Sequence, residues 1–401
     1  MAMEVDQRND SGAATKIMVI GVGGGGGNAV KRIVDTEVAG AEFAIANTDA
    51  QVLKHSGIEY KIQLGEKLTK GQGAGGDPEI GEKAAIESED KISDILKGTD
   101  MLFITAGMGG GTGTGAAPVI AKIGKEKNIL TVGVVTRPFD FEGEVRAEIA
   151  QKGIEELAKN VDSLIVIPNE KLNELPEYED LPMMESFHMA DDVLATAVKN
   201  ISTLITEQGY INLDFADIKN IMKDAGIAHI GFATASGKDK ALTAAKAAVQ
   251  SPLLETSING AQKIILYYRS SKDISTKAVK EATNYVKNLA AQRAHIIVGM
   301  NFVEDLEDTV ELTLIAADFV DYVEEKKEDE VKFNFNAQPE AEAEAQTEDN
   351  SQEKKYDFSE IGDLASKYTT EDEENSKIEA KADDEDFSPL ITDAFKNNRF
   401  N

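Results

Sequence analysis

Short apolar runs alternate with stretches of helical spacing along the first half of the chain. KIMVIGV (Lys16–Val22), AEFAIANTD (Ala41–Asp49), YKIQLG (Tyr60–Gly65), DMLFITAG (Asp100–Gly107), ILTVGVVT (Ile129–Thr136) and DSLIVIPN (Asp162–Asn169) read as buried strands. Between them NAVKRIVD, a stretch ending near Lys97, AAPVIAKIGKEKN and the segment around Val145–Asn160 carry apolar residues at helical spacing. GVGGGGGN and GMGGGTGTG read as turns, and EKLTKGQGAGGDPEIG as a long loop. Strands alternating with helices predict an α/β fold, an open and mainly parallel sheet with helices on both faces. Ligands of such sheets gather at the carboxyl ends of the strands.

A longer helix is expected from about Ser186 to Gln208, with Val193, Leu194, Ala197, Val198, Ile201, Leu204 and Ile205 at a 3–4 spacing and Gly209 ending it. Next, AHIGFATAS, KIILYYRS, HIIVGMNF and DTVELTLIAADF read as strands, and KDKALTAAKAAVQ and STKAVKEATNYVKNLA as helices. This predicts a second, smaller α/β unit without a phosphate-type glycine turn. From Val323 the composition shifts to Glu, Asp, Lys, Ala, Gln and Ser, too apolar-poor to offset chain entropy. The expected organisation is a disordered N-terminus (1–14), a nucleotide-binding domain (15–185), a central helix (186–209), a C-terminal α/β domain (210–322), a disordered acidic linker (323–386) and a tail peptide (387–401). The tail regains Phe387, Leu390, Ile391, Phe395 and Phe400, which suits either a frayed end or a tethered partner-binding peptide.

Charge narrows the function classes. The formal net charge is −30, and between Asp321 and Phe387 there are 24 Asp/Glu against 8 Lys/Arg. No basic footprint for nucleic acid exists. With no cysteine there are no disulfides, thiolate metal sites or cysteine nucleophiles. The four histidines are scattered without zinc spacing, so no metal is assigned to direct protein ligands. No apolar run approaches the ~20 residues that span a bilayer, and the polar start lacks a signal core. The expectation is a cytoplasmic protein without direct membrane insertion.

Two glycine-rich segments carry the chemistry. GVGGGGGN (Gly21–Asn28) contains a GxGxxG match at Gly21, Gly23 and Gly26, a weak signal that points to a dinucleotide fold. GMGGGTGTG (Gly107–Gly115) is more specific, because it follows an apolar strand and opens a helix. Glycines there let backbone approach anionic oxygens, and the helix N-terminus aims N–H groups at them. Thr112 and Thr114 add hydroxyl donors. The bland alternative is a flexible linker, which the tight flanks of strand and helix disfavour. No GxxxxGK[ST] lysine exists, so phosphates would rest on backbone N–H groups, a helix dipole and Mg²⁺, with Arg146 as side-chain cation.

GGGTGTG after a strand resembles the tubulin-family signature. With GVGGGGGNAV, ANTDAQ, VVTRPFDFEG, IPNEKL and INLDFADI in this order, the chain is similar, from about Lys16 to Phe319, to the FtsZ family, the bacterial cell-division relatives of tubulin. The resemblance implies GTP/GDP with Mg²⁺ as cofactors. Gly24, Gly25, Gly26, Gly27, Asn28, Gly111, Thr112 and Gly113 match the phosphate-contacting turns. Ala74 and Gly75 match the loop near the γ-phosphate, and Asn47 a nucleotide-side polar residue. Glu142 and Arg146 match the pair at ribose and phosphates. Asn169 and Phe187 match the sugar and base surroundings, and Asp191 the base-recognition position. Asp191 also has a reading of its own: one carboxylate accepts from both N1–H and the 2-amino group of guanine, whereas adenine offers no such pair of donors. The alternative is that Asp191 favours the first turn of its helix.

Asn212, Asp214 and Asp217 in YINLDFADI are the catalytic candidates. Read without the family they are loop and helix-start residues; the resemblance makes them water-activating groups that act on the next subunit's nucleotide. It also implies head-to-tail homopolymers, a division ring at mid-cell on the inner face of the membrane, and a tail that binds membrane-tethering and regulatory division proteins. The tail departs from the family pattern, with Asp393, Lys396 and Arg399 but no proline beside the Asp. Competing readings are an NAD(P)-binding oxidoreductase, from GVGGGG, and a non-cycling member of the tubulin superfamily.

Overall fold

The computed structural model describes residues 15–319, apart from 36–39, 174–181, 208 and 252–256. The expected disordered N-terminus, acidic linker and tail peptide lie outside the described residues.

The chain begins with β1 (Ile17–Val22), which runs straight into α1 (Gly23–Asp35). Then come β2 (Ala41–Asn47), α2 (Ala50–His55) and β3 (Tyr60–Gln63). Asp49 starts α2 by accepting from the Gln51 and Val52 N–H groups at 2.8 and 3.4 Å. The segment expected to be a long loop instead holds α3 (Glu66–Thr69) and the start of α4 (Pro78–Glu87), which has Asp77 as N-cap and Pro78 at its first position. The stretch toward Lys97 is two helices, α4 and α5 (Glu89–Ile95), parted at Ser88. The Ser88 hydroxyl is turned inward to accept from the Gly65 N–H at 2.9 Å.

β4 (Met101–Gly107), α6 (Gly111–Glu126), β5 (Leu130–Arg137), α7 (Glu144–Ala158), β6 (Ser163–Pro168) and the short α8 (Glu170–Asn173) complete the first region. α9 (Met183–Thr206) follows, beginning a few residues before its expected start. A short helix to which the sequence reading gave a start but no extent, α10 (Phe215–Met222), opens at Asp214. The remainder is β7 (Gly226–Ser236), α11 (Lys240–Val249), β8 (Ala261–Ser270), α12 (Thr276–Leu289), β9 (His295–Phe302) and β10 (Thr309–Phe319).

The ten strands of the described residues share one sheet, ordered β3-β2-β1-β4-β5-β6-β7-β10-β8-β9. Pairing is parallel from β3 to β7, antiparallel around β10, and parallel again between β8 and β9. The second region is thus joined to the first by backbone hydrogen bonds between β6 and β7.

Period-two alternation splits the core between the two faces. Ile17 and Val19 of β1 face a cluster that includes Val193, Val198 and Ile201 of α9, while Met18 and Ile20 face one that includes Ile120 of α6 and Ile154 of α7. α4 approaches α6 so closely that a Cβ on Gly115 would stand 2.0 Å from the Pro78 carbonyl oxygen, so glycine is required there.

Candidate functional site

In the strand order, β1 and β4 are neighbours whose connections leave in opposite directions, to β2 and to β5. That switch point leaves a crevice beyond the carboxyl ends of the strands. Both glycine-rich segments open there, and they are helix N-termini rather than turns. α1 starts at Gly23, where φ of 74° lets the chain turn from strand to helix within one residue. α6 starts at Gly111, with Gly110 as an N-cap that supplies no side-chain hydrogen bond. Neither helix has an acidic residue in its first turn. The two ends therefore present amide N–H groups and positive dipole ends, the physical requirements of an anion site.

The crevice is a cleft of about 420 Å³, within the ~300–1,000 Å³ usual for small-molecule sites. Of the residues expected from sequence, Gly24, Gly25, Asn28, Gly111, Thr112, Gly113, Glu142, Arg146, Asn169, Phe187 and Asp191 line it. A Cβ on Gly24 or on Gly110 would meet nothing within 4 Å and would project into open space. Thr112 shares a 2.7 Å hydrogen bond with the Thr48 hydroxyl. Thr114, expected as a donor, is buried and accepts from the Gly109 N–H at 2.9 Å, so it shapes the loop instead of facing the cleft.

On the far wall, Glu142 accepts from the Phe139 N–H at 2.9 Å and pairs with Arg146 Nε at 3.1 Å. Asn169 is buried, and its Oδ1 has no hydrogen-bond partner in the protein, an orphaned acceptor that calls for a donor from a ligand. Phe187 stands edge-on to Phe139 and Phe141 at 5.5 and 5.9 Å. One helical turn on, Asp191 receives a hydrogen bond from Asn28, and Arg32 pairs with Asp192 at 2.6 Å. Burial pushes the Asp191 carboxyl up to about 7; Arg32 opposes the rise, Asp192 adds to it, and the Asn28 bond and Lys31 oppose it.

The other expected residues do not line the cleft. Gly26 lies beneath it, where a Cβ would fall 2.1 Å from the Thr105 carbonyl oxygen, and Gly27 is buried beside Ile45. Asn47 is buried with its Oδ1 accepting from the Asp49 N–H at 3.1 Å. Ala74 packs under Gly111, and Gly75, at φ 62°, is exposed. Asn212, Asp214 and Asp217 lie beyond the other end of α9. There Asn212 Oδ1 accepts from the Gly209 N–H at 2.6 Å, and Asp214 and Asp217 form a reciprocal cap on α10 at 2.7 and 3.3 Å.

Sequence reasoning missed Met108, Thr136, Pro138, Ala190 and Leu194 as cleft walls, and it held Gly107 and Gly110 only as part of the glycine-rich segment. A signal existed for two groups of them. Gly107, Thr136 and Pro138 mark the carboxyl ends of β4 and β5, and Leu194 continues the spacing of Phe187 and Asp191 along α9.

An open parallel sheet with two helix N-termini at its switch point defines a nucleotide-binding α/β protein. Residues 16–177 match the model of the tubulin/FtsZ family GTPase domain, and residues 226–320 that of the FtsZ family C-terminal domain. An FtsZ dimer from M. jannaschii is 43% identical, with a TM-score of 0.72 over 76% of this chain and 88% of that one. CetZ2 from Haloferax volcanii, solved as a GTPγS-bound protofilament, is 20% identical and shares the fold, with a TM-score of 0.65 over 75% of this chain and 92% of that one. The chain belongs to the FtsZ family of tubulin-like GTPases, proteins of cell division and the cytoskeleton that bind guanine nucleotide and hydrolyse GTP. The oxidoreductase reading of GVGGGG has no support from these matches. Among the described residues no helix is long and apolar enough to cross a membrane.

Proposed function

We propose that the protein assembles head to tail into protofilaments and hydrolyses GTP at each junction, one subunit holding the nucleotide and the next supplying the water-activating acids. The observation that carries this reading is the distance between the two halves of the chemistry. Asp191 lines the cleft, while Asn212, Asp214 and Asp217 follow the far end of the same helix. From Asp191 to Thr206 the helix rises about 22 Å. A single subunit cannot bring its own acids to its own cleft, whereas a second copy stacked in the same orientation can. Such a contact is heterologous and propagates as an open filament. Apolar exposure at both ends supports it: Val145 and Met184 beside the cleft are 72% and 71% exposed, and Tyr210 beside the acids is 77% exposed.

In this mechanism the N–H groups of Gly24, Gly25, Gly111, Thr112 and Gly113 hold the phosphates. Asn169, Glu142 and Arg146 take the sugar and phosphate flank, Phe187 packs on the base and Asp191 reads its edge. The glycine cradle and the orphaned Asn169 oxygen fit a nucleotide whose phosphates carry Mg²⁺, with Thr112 the hydroxyl best placed to assist. When bound, Mg²⁺ neutralises charge developing on the phosphates. From the next subunit, Asp214 and Asp217 polarise the attacking water, and Asn212 holds the loop. The reciprocal cap engages Oδ1 of Asp214 and Oδ2 of Asp217, so it fixes both carboxylates in orientation. The division ring at mid-cell on the inner face of the membrane, and anchoring partners bound by residues 387–401, belong to the same proposal.

Phosphate release measured against protein concentration, with light scattering alongside, tests the shared site. Turnover should rise more steeply than first order at low concentration, with GTP and not with GDP or ATP. Strict proportionality from the lowest dilution overturns the reading. A second test addresses the cradle. Gly24 lies in the first turn of α1, where alanine is intrinsically the better helix residue, and a Cβ there would touch no protein atom. Gly24→Ala should stabilise the nucleotide-depleted protein by about 0.5 kcal/mol. It should also weaken GTP binding on the order of tenfold, because the methyl occupies ligand space. Thermal melting and nucleotide titration read the two effects separately; unchanged affinity removes Gly24 from the site.

A further inference from the structure

Four charged side chains gather where the end of α9 meets the sheet of the second region, far from the cleft. Glu311 of β10, Arg269 of β8 and Asn301 of β9 stand opposite one another in register and form one row across three adjacent strands. Arg269 hydrogen-bonds Glu311 at 2.5 Å, and its Nε, which makes no hydrogen bond among the described residues, faces the Glu207 carboxylate at 3.7 Å as an ion pair. Glu207 is the C-cap of α9, and its Oε2 also accepts from the Asn301 amide at 3.0 Å. Lys199, two turns back along α9, feels the same charges: burial holds its ammonium below the usual lysine range, Arg269 adds to that, and Glu311 and Glu207 oppose it. The four side chains sum to zero charge and are partly withdrawn from water, which strengthens their coupling relative to surface pairs.

Among the described residues, the chain between this row and the acids is tied by the Gly209–Asn212 bond within it and by contacts to the same strand. Tyr210 and Ile211 donate their N–H groups to the Met300 carbonyl at 2.8 and 3.0 Å, and the Met300 N–H returns a bond to Ile211 at 3.0 Å. The Tyr210 ring packs on Phe302 at 5.2 Å. Gly299 leaves room for Leu213, whose Cγ would stand 2.8 Å from a Cβ there. The segment that carries Asn212, Asp214 and Asp217 is therefore indexed to β9 on one side and to the end of α9 on the other. The Glu207–Arg269–Asn301 contacts fasten those two references to each other.

We infer that Glu207, Arg269 and Asn301, completed by Glu311, form a polar latch that sets the position of the acidic segment relative to the nucleotide-binding end of α9. They are positioning residues for hydrolysis. The inference rests on the reading that the acids act on a neighbour's nucleotide. Displacement of a reacting group by about 1 Å costs up to ~10²-fold in rate, so loosening the latch should appear in turnover and not in nucleotide affinity.

The test uses the full chain and measures turnover per assembled subunit, GTP affinity at concentrations below assembly, and melting temperature. Glu207→Ala and Arg269→Met should each lower turnover by about tenfold and leave affinity within about twofold. Glu207→Gln keeps the acceptor for the Asn301 amide while losing the charge that faces Arg269, and should recover part of the loss. The double variant should be no slower than the worse single variant, as expected of groups that act together. If either truncation folds poorly, Asn301→Ala removes one contact and should cost about threefold in turnover. Wild-type turnover in any of these truncations, equal losses for Glu207→Gln and Glu207→Ala, or multiplicative losses in the double variant would overturn the latch. Asp217→Asn run in parallel separates the two ideas. If it hydrolyses normally, the shared site itself fails; if it is inactive while Glu207→Ala is fully active, only the latch fails.

Discussion

Asp217→Asn is expected to bind GTP like the parent protein, to assemble, and to lose steady-state hydrolysis by about 10²–10³-fold. Binding should survive because Asp217 lies outside the cleft, beyond the end of α9. The fold should survive because asparagine still offers an oxygen to the Asp214 N–H, so the reciprocal cap on α10 is kept. Asp214→Ala is the poorer probe, since it deletes the N-cap itself at a cost of about 1 kcal/mol. Mixing gives the stronger version of the experiment. Asp217→Asn has a working cleft and deficient acids; a cleft-deficient variant has the reverse. In a head-to-tail filament each junction takes its cleft from one subunit and its acids from the next. A mixture of the two should therefore hydrolyse GTP faster than the sum of the separate samples. Full turnover in Asp217→Asn, or a mixture no better than its parts, would remove Asp217 from catalysis.

What could be read without coordinates follows from burial. Strands β1, β4, β5 and β6 are covered on both faces, so nearly every residue is apolar and the runs stand out. α9 is equally legible because its buried face repeats over about five turns, from Ser186 to Leu204. α2 and α10 were not, since six and eight residues give too few turns for a period to emerge, although Asp214 stood in a cluster that read as a helix start. The junction between the two regions was hidden for another reason. Only Ser163–Ile165 pairs with Gly226–Ala228, and a ladder of three residues leaves no pattern in sequence. In the cleft, the glycines before helices and Asp191 were legible from their own chemistry, whereas Asn169 and Phe187 came only with the family resemblance. Ala190, Leu194, Met108 and Pro138 were not, because the same apolar side chains serve core and wall. Gly26 and Asn47 show the converse. They belong to the motif, yet one makes room for β4 and the other ties a turn, so they support the cleft without lining it.

Asp191→Asn should weaken guanine nucleotide binding by about 10²–10³-fold, the worth of two hydrogen bonds to a charged acceptor. The edge of guanine presents two donors, N1–H and the 2-amino group. An ionised carboxylate accepts both, whereas an amide meets one of them with its own N–H₂. Xanthine replaces the 2-amino group by a carbonyl, so the variant should regain affinity for xanthosine triphosphate. That gain separates base reading from general damage to the cleft. The carboxyl carries a cost in the unliganded protein, because burial raises it to about 7 from an ordinary 3.8. The sign follows from linkage: between about pH 4 and pH 7 the folded protein holds a proton that the unfolded chain has released, so this group's contribution to stability falls as pH rises through that window and levels off above it. At pH 8 Asp191→Asn should therefore melt higher than the parent without nucleotide, by about 1–2 kcal/mol after allowance for partial exposure, and the gain should vanish toward pH 4. Nucleotide binding has the opposite dependence. Guanine selects the ionised form, so GTP affinity should be highest above pH 7 and fall by up to about tenfold per unit below it, with proton release on binding. A parent affinity flat from pH 6 to pH 8, together with a variant that gains nothing for xanthine, would place base recognition elsewhere in the cleft.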